Sequence, residues 1–342
     1  MKRILKEDLE YIAGSDLPWN NLKGSTVLVT GGNGFIGSLL VKTLDYISKK
    51  KDLNITISAL VRDEEDARKT LDGCDVVFEK GDIRDLPGIA YDVNYIFHCA
   101  AVTKSKDMVQ SPVEVSDVIL NGTRNVMRLA VEKKAKGVVY LSSMEVYGRT
   151  APELDTVGEE DLGYIDILNA RSCYPLGKRM AENICFSYYD QYGVPVKIVR
   201  LAQIFGAGVL SGESRVFGQF ARSVMSGQDI VLHTNGESYG NYCYTADAVI
   251  GLFTLLFRGE SGQAYNISNE ETNMTIGQMA ELVAGKIAGG GIAVRYDIPE
   301  DNPYGYAPQV KMKLSSEKIR KLGWKPKYGM EEMYRRMIGD ME

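Results

Sequence analysis

Short apolar runs alternate with helical patterns over the first 200 residues of the chain. Six of these runs are rich in β-branched residues, and we predict that each is a strand. They lie at residues 27–29, 55–61, 76–78, 95–99, 138–141 and 196–200. Residues 122–134 and 177–192 carry apolar positions at helical spacing between the later strands. Strands that alternate with helices are typical of a parallel sheet with helices on both faces.

The alternation of predicted strands and helices ends after Leu201. Glycine-rich pieces follow, together with an amphipathic helix predicted near residues 216–225. We therefore predict an α/β fold with a doubly wound, Rossmann-type parallel sheet in residues 24–200. Residues 201–342 are predicted to form a smaller C-terminal α/β lobe that binds substrate, with part of residues 241–267 returning to the first domain.

Two segments do not follow the alternation of strands and helices. In the first 23 residues, Leu5, Leu9 and Ile12 form one face of an amphipathic helix, which we interpret as an appendage to the sheet domain. Its apolar face can pack on the protein itself or on a second subunit, and the first is favoured because apolar stripes usually complete a core. Residues 153–169 have no steady period, which predicts a loop over the site.

The first predicted strand runs into three glycines at the spacing G-x-x-G-x-x-G, and a helical pattern follows them. Gly31 permits a sharp turn, Gly34 lets backbone N–H groups approach a pyrophosphate, and Gly37 allows close packing of helix and strand. The N-terminus of the helix favours an anion. A glycine-rich turn without a ligand is the alternative interpretation, since such motifs also occur by chance.

Composition limits the classes of function. A chain of 342 residues with 44% hydrophobic content can bury one large α/β core or two smaller ones. A net charge of -5 and a pI near 5.4 do not indicate a basic surface that would bind nucleic acid. The five cysteines are scattered among only two histidines, which suggests neither a disulfide framework nor a metal site. The N-terminus alternates charges with leucines, so we expect no signal peptide, no membrane span and a cytoplasmic protein.

Tyr174 and Lys178 lie four residues apart, which is one helical turn. The pair also arises by chance, but downstream of a dinucleotide loop it indicates redox chemistry. A tyrosine is a poor base until a lysine ammonium and the positive charge of a nicotinamide stabilise its phenolate. Ser143 follows a predicted strand, at the edge of a parallel sheet where sites form, and can hydrogen-bond the alcohol that is oxidised.

These motifs, with others in the same order, resemble the extended short-chain dehydrogenase/reductase family, and within it the nucleotide-sugar epimerase/dehydratase group. The resemblance covers nearly the whole chain after Gly24. The matching segments are GGNGFIG at 31–37, GDIRD at 81–85, HCAA at 98–101, NGT at 121–123, LSSMEVYG at 141–148, Tyr174 with Lys178, and LGWKP at 322–326.

The resemblance implies an NAD(P)-dependent enzyme that binds its cofactor tightly, acts on a nucleotide sugar and forms a homodimer through the helix that carries Tyr174. The catalytic residues it implies are Ser143, Glu145, Tyr174 and Lys178. The residues assigned to the cofactor are Gly31, Asn33, Gly34, Phe35, Ile36, Gly37, Arg62, Asp82, Ile83, Ala100, Ala101, Asn121, Tyr174 and Lys178. The residues assigned to the substrate are Thr103, Gln203 and Arg215. No metal is expected.

Four of the cofactor residues also have a physical reason. Asp82, after a strand end, can hydrogen-bond an adenine amino group, and the small Ala100 and Ala101 leave room for the cofactor. Asn121 can hold a helix or a water in place. For Asp82 and Asn121, a cap or turn role is an equally open alternative.

Glu145 limits the range of reactions that the resemblance allows. In similar segments of family members that dehydrate or decarboxylate, this glutamate handles a proton or the substrate carboxylate. Oxidation at C4 acidifies the C5 hydrogen, so a carboxylate beside it could remove that proton and permit loss of water from C6. The alternative is that Glu145 only caps a loop or pairs with Arg179.

Two residues depart from the family's pattern. Met144 stands where thymidine-diphosphoglucose dehydratases have an aspartate, and methionine cannot donate a proton. Gly240 stands where the pattern has an arginine that grips the diphosphate and, in decarboxylases, the glucuronate carboxylate. Its absence disfavours glucuronate decarboxylation, and Arg215 or Arg222 is the alternative source of the charge.

The choice of cofactor depends on the end of the second predicted strand. Val61 fills the place where an acidic residue usually binds the ribose 2'-hydroxyl of NAD. Arg62 can bind a 2'-phosphate, which favours NADP over NAD. Asp63 is the alternative ligand for a hydroxyl group.

We predict an enzyme that oxidises the C4 hydroxyl of a nucleotide sugar with bound NAD(P), dehydrates or epimerises the product, and returns the hydride. One alternative is a UDP-glucuronate decarboxylase-like enzyme. Another is a keto-sugar or carbonyl reductase, which would use Ser143, Tyr174 and Lys178 but consume NADPH. A dinucleotide sensor without catalysis is disfavoured, because binding alone needs none of these three residues.

Overall fold

The computed structural model describes residues 2–210, 212–299 and 311–342. The strands are β1 (Thr26–Thr30), β2 (Thr56–Val61), β3 (Val77–Lys80), β4 (Tyr95–His98), β5 (Gly137–Ser143), β6 (Val196–Leu201), β7 (Gln203–Phe205), β8 (Ile230–Leu232), β9 (Tyr239–Tyr244), β10 (Ala264–Ile267), β11 (Asn269–Thr275) and β12 (Val294–Tyr296). The helices are α1 (Arg3–Ala13), α2 (Phe35–Lys51), α3 (Glu64–Thr70), α4 (Ser105–Gln110), α5 (Pro112–Glu132), α6 (Cys173–Tyr192), α7 (Val216–Ser226), α8 (Thr245–Arg258), α9 (Ile276–Leu282), α10 (Glu317–Arg320) and α11 (Met330–Met341). None of the helices in these residues is long and apolar enough to cross a membrane.

Seven strands form one parallel sheet in the order β3-β2-β1-β4-β5-β6-β10. Helices cover both faces. Val27 and Val29 of β1 lie in the core with α2 and α8, whereas Leu28 lies in the core of the opposite face with α5 and α6. This arrangement confirms the predicted doubly wound α/β fold. The strand order reverses between β1 and β4, so the carboxyl ends of these strands open a crevice of the kind that binds ligands in such folds.

The two long helices next to this crevice begin earlier than the sequence analysis predicts. The helix predicted at residues 122–134 begins at Pro112 in the structure, and the helix predicted at 177–192 begins at Cys173. Proline suits the first turn of a helix, since its missing N–H has no helical partner there. The earlier start of α6 places Tyr174 in its first turn, one turn before Lys178.

The N-terminal helix α1 packs on this protein's own surface. It contacts α2, α8 and α11, and Leu9 and Ile12 are almost fully buried. Asp8 accepts hydrogen bonds from the Tyr244 hydroxyl at 2.6 Å and from Nη2 of Arg336 at 2.7 Å. The apolar face of α1 therefore completes the core of its own chain.

The chain after β6 contributes to two layers. Strands β7, β9 and β11 form a small mixed sheet, and β8 pairs in parallel with β12. Along the chain, α8 and β10 lie between β9 and β11 and belong to the main sheet domain. Helix α8 packs on the main sheet, and β10 pairs with β6 at its edge. Residues 153–169 contain no helix or strand, and an isolated bridge ties Val157 to Leu314. Arg200 of β6 donates to the Glu159 carbonyl of this loop at 2.6 Å, which joins the loop to the main sheet.

Candidate active site

The loop between β1 and α2 has the shape that the three glycines require. Gly31 has φ of +66°, and a side chain there would meet the backbone of Ala100 at 3.0 Å. A β-carbon at Gly37 would overlap the carbonyl oxygen of Gly31. Helix α2 follows without a side-chain cap at Gly34, so its first N–H groups remain available to an anion. Asn33, Phe35 and Ile36 complete this loop, which fits the pyrophosphate of a dinucleotide.

Polar side chains lie beside the loop at the end of β2. Asn33 donates a hydrogen bond from Nδ2 to Asp66 at 2.9 Å. The Asp63 carboxylate caps α3, since it accepts from the N–H of Asp66 at 3.0 Å. Arg62 is exposed, and its charge helps to lower the pKa of Asp82. Asp63 is exposed as well, but its carboxylate already accepts the hydrogen bond from Asp66, whereas the guanidinium of Arg62 makes none within the described residues.

Asp82 is held by an arginine close to it in sequence. Arg84 donates to it from Nε at 2.9 Å and from Nη2 at 2.8 Å, and these hydrogen bonds lower the pKa of Asp82 to about 2. Ile83 packs against Gly122 of α5. The carboxylate of Asp82 is thus ionised and turned toward Arg84 before any ligand binds.

The remaining predicted cofactor residues lie at the end of β4 and on α5. Ala100 and Ala101 are half-buried, and the N–H of Ala100 donates to Oγ1 of Thr30 at 3.2 Å. Asn121 is half-buried on α5, and its side chain makes no hydrogen bond within the described residues. Its amide is therefore free to bind a ligand or a water.

Ser143, Tyr174 and Lys178 converge where β5 ends against α6. Tyr174 and Lys178 are almost fully buried. The ammonium of Lys178 donates to the carbonyl of Leu141 at 2.7 Å and lies 5.9 Å from the ring centre of Tyr174. Burial lowers the pKa of Lys178 to about 8. Burial also raises the pKa of Tyr174 strongly, the charge of Glu145 raises it further, and a hydrogen bond with Ser143 lowers it.

Glu145 lies in a 3-10 turn, residues 144–147, directly after β5. Its N–H donates to Oγ of Ser143 at 3.2 Å. Its carboxylate accepts two hydrogen bonds from Arg171, from Nη1 at 2.7 Å and from Nη2 at 3.2 Å. The alternative pairing with Arg179 is wrong, because that guanidinium donates to backbone carbonyls at residues 146, 147 and 163 instead.

Sequence reasoning missed Arg171. It belongs to a short 3-10 turn, residues 170–172, whose cap Asn169 accepts from the N–H of Arg171 at 3.0 Å. Only its position in the sequence, three residues before Tyr174, could have indicated that Arg171 belongs to the site. A basic side chain so close to the start of α6 lies at the same edge of the sheet as Glu145.

The predicted substrate residues lie on different elements around this edge. Thr103 is exposed in the segment between β4 and α4, and Gln203 is half-buried at the start of β7. Arg215 precedes α7 and pairs with Glu213, and its charge lowers the pKa of Tyr174. Arg222 is exposed on α7 and donates to the Glu213 carbonyl at 2.7 Å. Of the two arginines, Arg215 is therefore the one whose charge acts on Tyr174.

The structure gives a reason for glycine at position 240. A β-carbon there would overlap the ring and hydroxyl of Tyr242. That hydroxyl is buried and has no hydrogen-bond partner within the described residues. Asn241 beside it accepts from the N–H of Leu314 at 2.9 Å and donates to the Met312 carbonyl at 3.0 Å. Position 240 thus provides no cation, because an aromatic side chain fills the space.

The model of the NAD dependent epimerase/dehydratase family matches residues 27–268 of the chain. The chain belongs to this family. Membership confirms the predicted enzyme class and the use of NAD chemistry. The glycine loop, the carboxyl ends of β4 and β5, and α6 all lie within the matched residues.

Curated members of the family that are similar to this chain include uronic acid decarboxylases. The chain is 26% identical over 307 residues to UDP-glucuronic acid decarboxylase 1 of Xenopus tropicalis, with 90% of this chain and 69% of that protein covered. It is 27% identical over 306 residues to UDP-glucuronic acid decarboxylase 6 of Arabidopsis thaliana, with 90% and 85% covered. It is 29% identical over 251 residues to a UDP-N-acetyl-alpha-D-glucosaminuronate decarboxylase of Bacillus cytotoxicus, with 71% and 75% covered.

Solved structures of family members share the fold. A UDP-glucose 4-epimerase from Thermotoga maritima, in complex with UDP-glucose, has a TM-score of 0.78 at 21% identity, with 92% of this chain and 98% of that chain covered. A dTDP-glucose 4,6-dehydratase from Streptomyces venezuelae, with NAD bound, has a TM-score of 0.73 at 22% identity, with 92% and 95% covered. At these identities the likeness establishes the architecture.

Proposed function

We propose that this protein oxidises the C4 hydroxyl of a nucleotide-linked sugar with a bound nicotinamide cofactor, changes the keto sugar at C5 or C6, and returns the hydride. The observation that carries the proposal is the convergence of Ser143, Glu145 and Tyr174. The Glu145 charge and the Ser143 hydroxyl both act on the hydroxyl of Tyr174. A base for the alcohol and a carboxylate for the next step therefore share one site.

The first step needs Tyr174 as a base. Burial favours its neutral form, and so a nearby positive charge is required to stabilise the phenolate. Lys178 provides one such charge, and the nicotinamide, when bound, accepts the hydride from C4. The phenolate of Tyr174 takes the hydroxyl proton while Ser143 hydrogen-bonds the same oxygen. After epimerisation or decarboxylation the hydride returns to C4, and Tyr174 returns the proton to the C4 oxygen. After loss of water the hydride adds to C6, a proton adds to C5, and the sugar keeps its C4 ketone.

The second step needs Glu145. The ketone at C4 acidifies the hydrogen on C5, and an ionised carboxylate beside it can remove that proton. Removal of the C5 proton permits loss of hydroxide from C6, which leaves as water once it is protonated, or return of the proton to the other face of C5. Arg171 orients Glu145, since its two Nη atoms donate to the two carboxylate oxygens.

Decarboxylation is a second candidate. It is supported by the similarity of the chain to uronic acid decarboxylases at 26–29% identity. A C4 ketone makes a C6 carboxylate a β-keto acid, which loses carbon dioxide as the electrons of the C5–C6 bond move toward the ketone. The enolate then takes a proton at C5, which restores the C4 ketone before the hydride returns to C4. The glycine at position 240 removes the arginine expected for this reaction, so another cation must bind the carboxylate.

Product analysis tests the proposal. The purified protein, with its retained dinucleotide identified, is incubated with UDP-, dTDP-, GDP- and CDP-sugars while absorbance at 340 nm and product mass are followed. Loss of water, loss of carbon dioxide or an isobaric epimer, without net cofactor change, supports internal redox. Steady consumption of added NADPH would instead make the protein a reductase and refute the proposal.

A variant distinguishes the two steps. In Glu145→Gln the oxidation by Tyr174 remains, so we expect the 340 nm signal to rise on mixing and then persist. In Asp166→Asn, a control on the exposed loop, the signal should rise and fall as in the native protein. Unchanged product formation in Glu145→Gln would remove Glu145 from the mechanism.

We also propose that the protein binds NADP more tightly than NAD. The exposed guanidinium of Arg62 and the engagement of Asp63 in the cap of α3 support this preference. Arg62→Ala should reduce affinity for NADP by about 10- to 100-fold, the range for one charge-assisted hydrogen bond. Its affinity for NAD should stay within about twofold. Equal losses for both dinucleotides would contradict the assignment.

A homodimer through α5 and α6 is part of the proposal. Exposed apolar side chains line this face, among them Met180, Phe186, Tyr189 and Val113. Ile184 of the same helix is buried in its own chain. We expect a dimer by light scattering at micromolar concentration, and Phe186→Asp should shift it toward monomer. A native monomer at that concentration would refute the dimer.

We further propose a cytoplasmic location. It is supported by five cysteines that are all free in the described residues, as expected where thiols stay reduced. Cell fractionation with the native protein tests this, and recovery outside the cytoplasmic fraction would contradict it.

A further inference from the structure

Two guanidinium groups act electrostatically on the catalytic tyrosine. The charges of Arg171 and Arg215 both lower the pKa of Tyr174. Arg215 belongs to the second lobe, where Glu213 binds it through Nε and Nη2. Arg171 lies three residues before Tyr174, on the same side as Glu145. Arg171 is therefore the guanidinium that shares the reacting end of the site with both residues.

The contacts of Arg171 leave part of its guanidinium available. Its two Nη atoms each donate one hydrogen bond to Glu145. A guanidinium has five N–H groups, and the other three of Arg171 have no partner within the described residues. The side chain is 30% exposed, so a ligand in the site can reach these groups. Arg171 can thus bind a second anion while it keeps Glu145.

The charges in the site determine which sugar fits. Glu145 is an anion close to the reacting carbons, and a second carboxylate on the sugar would be repelled by it. Position 240 provides no cation, because the Tyr242 side chain fills the space of any residue larger than glycine. A neutral sugar needs no further charge, whereas an acidic sugar needs a cation between the two carboxylates. Arg171 is a cation next to Glu145, since the two side chains form an ion pair with an N–O distance of 2.7 Å.

We propose that Arg171 determines substrate specificity by binding a carboxylate on the sugar through the N–H groups that Glu145 leaves unpaired. The substrate class is then a nucleotide-linked uronic acid. This inference rests on the proposed internal redox function, and it selects the decarboxylating form of that function. Planar guanidinium groups suit this role, because they bind carboxylates through two parallel hydrogen bonds.

Binding without turnover tests the proposal. In the cofactor-loaded Tyr174→Phe variant, the dissociation constants of UDP-glucuronate and UDP-glucose are measured by calorimetry. We expect UDP-glucuronate to bind more tightly. Addition of Arg171→Gln should weaken UDP-glucuronate by about 10- to 100-fold, the range for hydrogen bonds to a charged group, and change UDP-glucose by less than about twofold. Arg171→Lys should fall between, since it keeps the charge without the planar fork.

A second comparison separates direct binding from positioning of Glu145. If Arg171 binds the sugar carboxylate, Arg171→Gln still weakens UDP-glucuronate when Glu145 is also replaced by Gln. If the loss disappears in that background, Arg171 acts only through Glu145 and the proposal is wrong. Arg335→Gln removes an exposed ion pair with Glu331 on α11 and should change neither dissociation constant.

The same binding measurements can also contradict the specificity role of Arg171 or the proposed function. Equal weakening of both sugars by Arg171→Gln, or tighter native binding of UDP-glucose, overturns the specificity role while internal redox stands. Failure of every sugar nucleotide to bind or react refutes the function itself. Thermal unfolding and retained dinucleotide, compared between Arg171→Gln and Arg335→Gln, show whether each variant is folded.

Discussion

Lys178 is a buried charge in the candidate site, and such a charge lowers the stability of the protein that holds it. The side chain is 3% exposed, and burial lowers its pKa from 10.5 to about 8. The folded protein must still hold the charged form at pH 7. Replacement by methionine, which has a similar length and no charge, should therefore make the cofactor-free protein more stable at pH 7 and abolish its chemistry.

The size of the effect follows from the pKa. A lowering from 10.5 to about 8 corresponds to about 3 kcal/mol of unfolding free energy. Loss of the hydrogen bond to the Leu141 carbonyl offsets about 1 kcal/mol. Lys178→Met should thus gain about 2 kcal/mol at pH 7.

The sign of the pH dependence is fixed by linkage. Below about pH 8 Lys178 is charged in both states, so its full destabilising effect is present. Between pH 8 and 10.5 the unfolded chain binds more protons, and the native protein gains stability as the pH rises. At pH 10 about 1 kcal/mol of the effect remains, which the lost hydrogen bond cancels, so native and variant proteins should be equally stable.

Urea unfolding at pH 7 and pH 10, followed by the fluorescence of Trp19 and Trp324, measures both differences. Lys197→Met is the matched control, because burial lowers the pKa of Lys197 on β6 outside the site. It should raise stability and keep activity, whereas Lys178→Met should lose at least about 100-fold in the oxidation rate. A Lys178→Met protein that is less stable than the native protein at pH 7, or whose difference is the same at both pH values, would refute the reasoning.

Three further predictions concern the same site. Tyr174→Phe should lower the rate of the 340 nm signal by about 100- to 10,000-fold and leave dinucleotide affinity within about threefold; a rate within tenfold of native would exclude Tyr174 as the base. Gly37→Ala should abolish dinucleotide binding in a titration, because its β-carbon would overlap the Gly31 carbonyl, whereas Gly285→Ala, with open space around it, should bind normally. Glu182→Gln should destabilise the protein to urea by about 3 kcal/mol or more, since it leaves the buried Arg200 without its counter-charge; a loss below about 1 kcal/mol would contradict this.

The edge strand β3 is partly exposed, but the inner strands of the parallel sheet could be predicted from sequence alone because they are buried on both faces. Such strands are continuous apolar runs with turn residues at their ends, and the six predicted strands agree with β1–β6 to within two residues. The starts of α5 and α6 could not be read from periodicity. Their first turns contain polar residues and proline, so only the position of Pro112 indicates where α5 begins.

The site was predictable where its residues follow one another along the chain. The glycine loop, Ser143 and the pair Tyr174 and Lys178 depend on local geometry, and the structure brings the last three together. The partner of Glu145 could not be predicted in this way, because it depends on whether the side chain of Arg171 or that of Arg179 points toward the carboxylate. Arg179 lies within α6 and donates to backbone carbonyls of the preceding segment, while Arg171 lies before the helix and donates to Glu145. No periodicity distinguishes these two directions.

The buried network behind the site explains how such a polar arrangement holds its shape. Glu182, one turn after Lys178 on α6, accepts from Oγ of Ser142 at 2.6 Å and from Nη2 of Arg200 at 2.7 Å. Arg200 also donates to the hydroxyl of Tyr147 at 3.1 Å. Ser142 and Tyr147 flank Ser143 and Glu145 on both sides along the chain. Because these hydrogen bonds join α6 to β5 and β6, they fix the segment between Ser142 and Tyr147 against the helix that carries Tyr174 and Lys178. Arg200 also donates to the Glu159 carbonyl at 2.6 Å, so the same network holds the loop of residues 153–169.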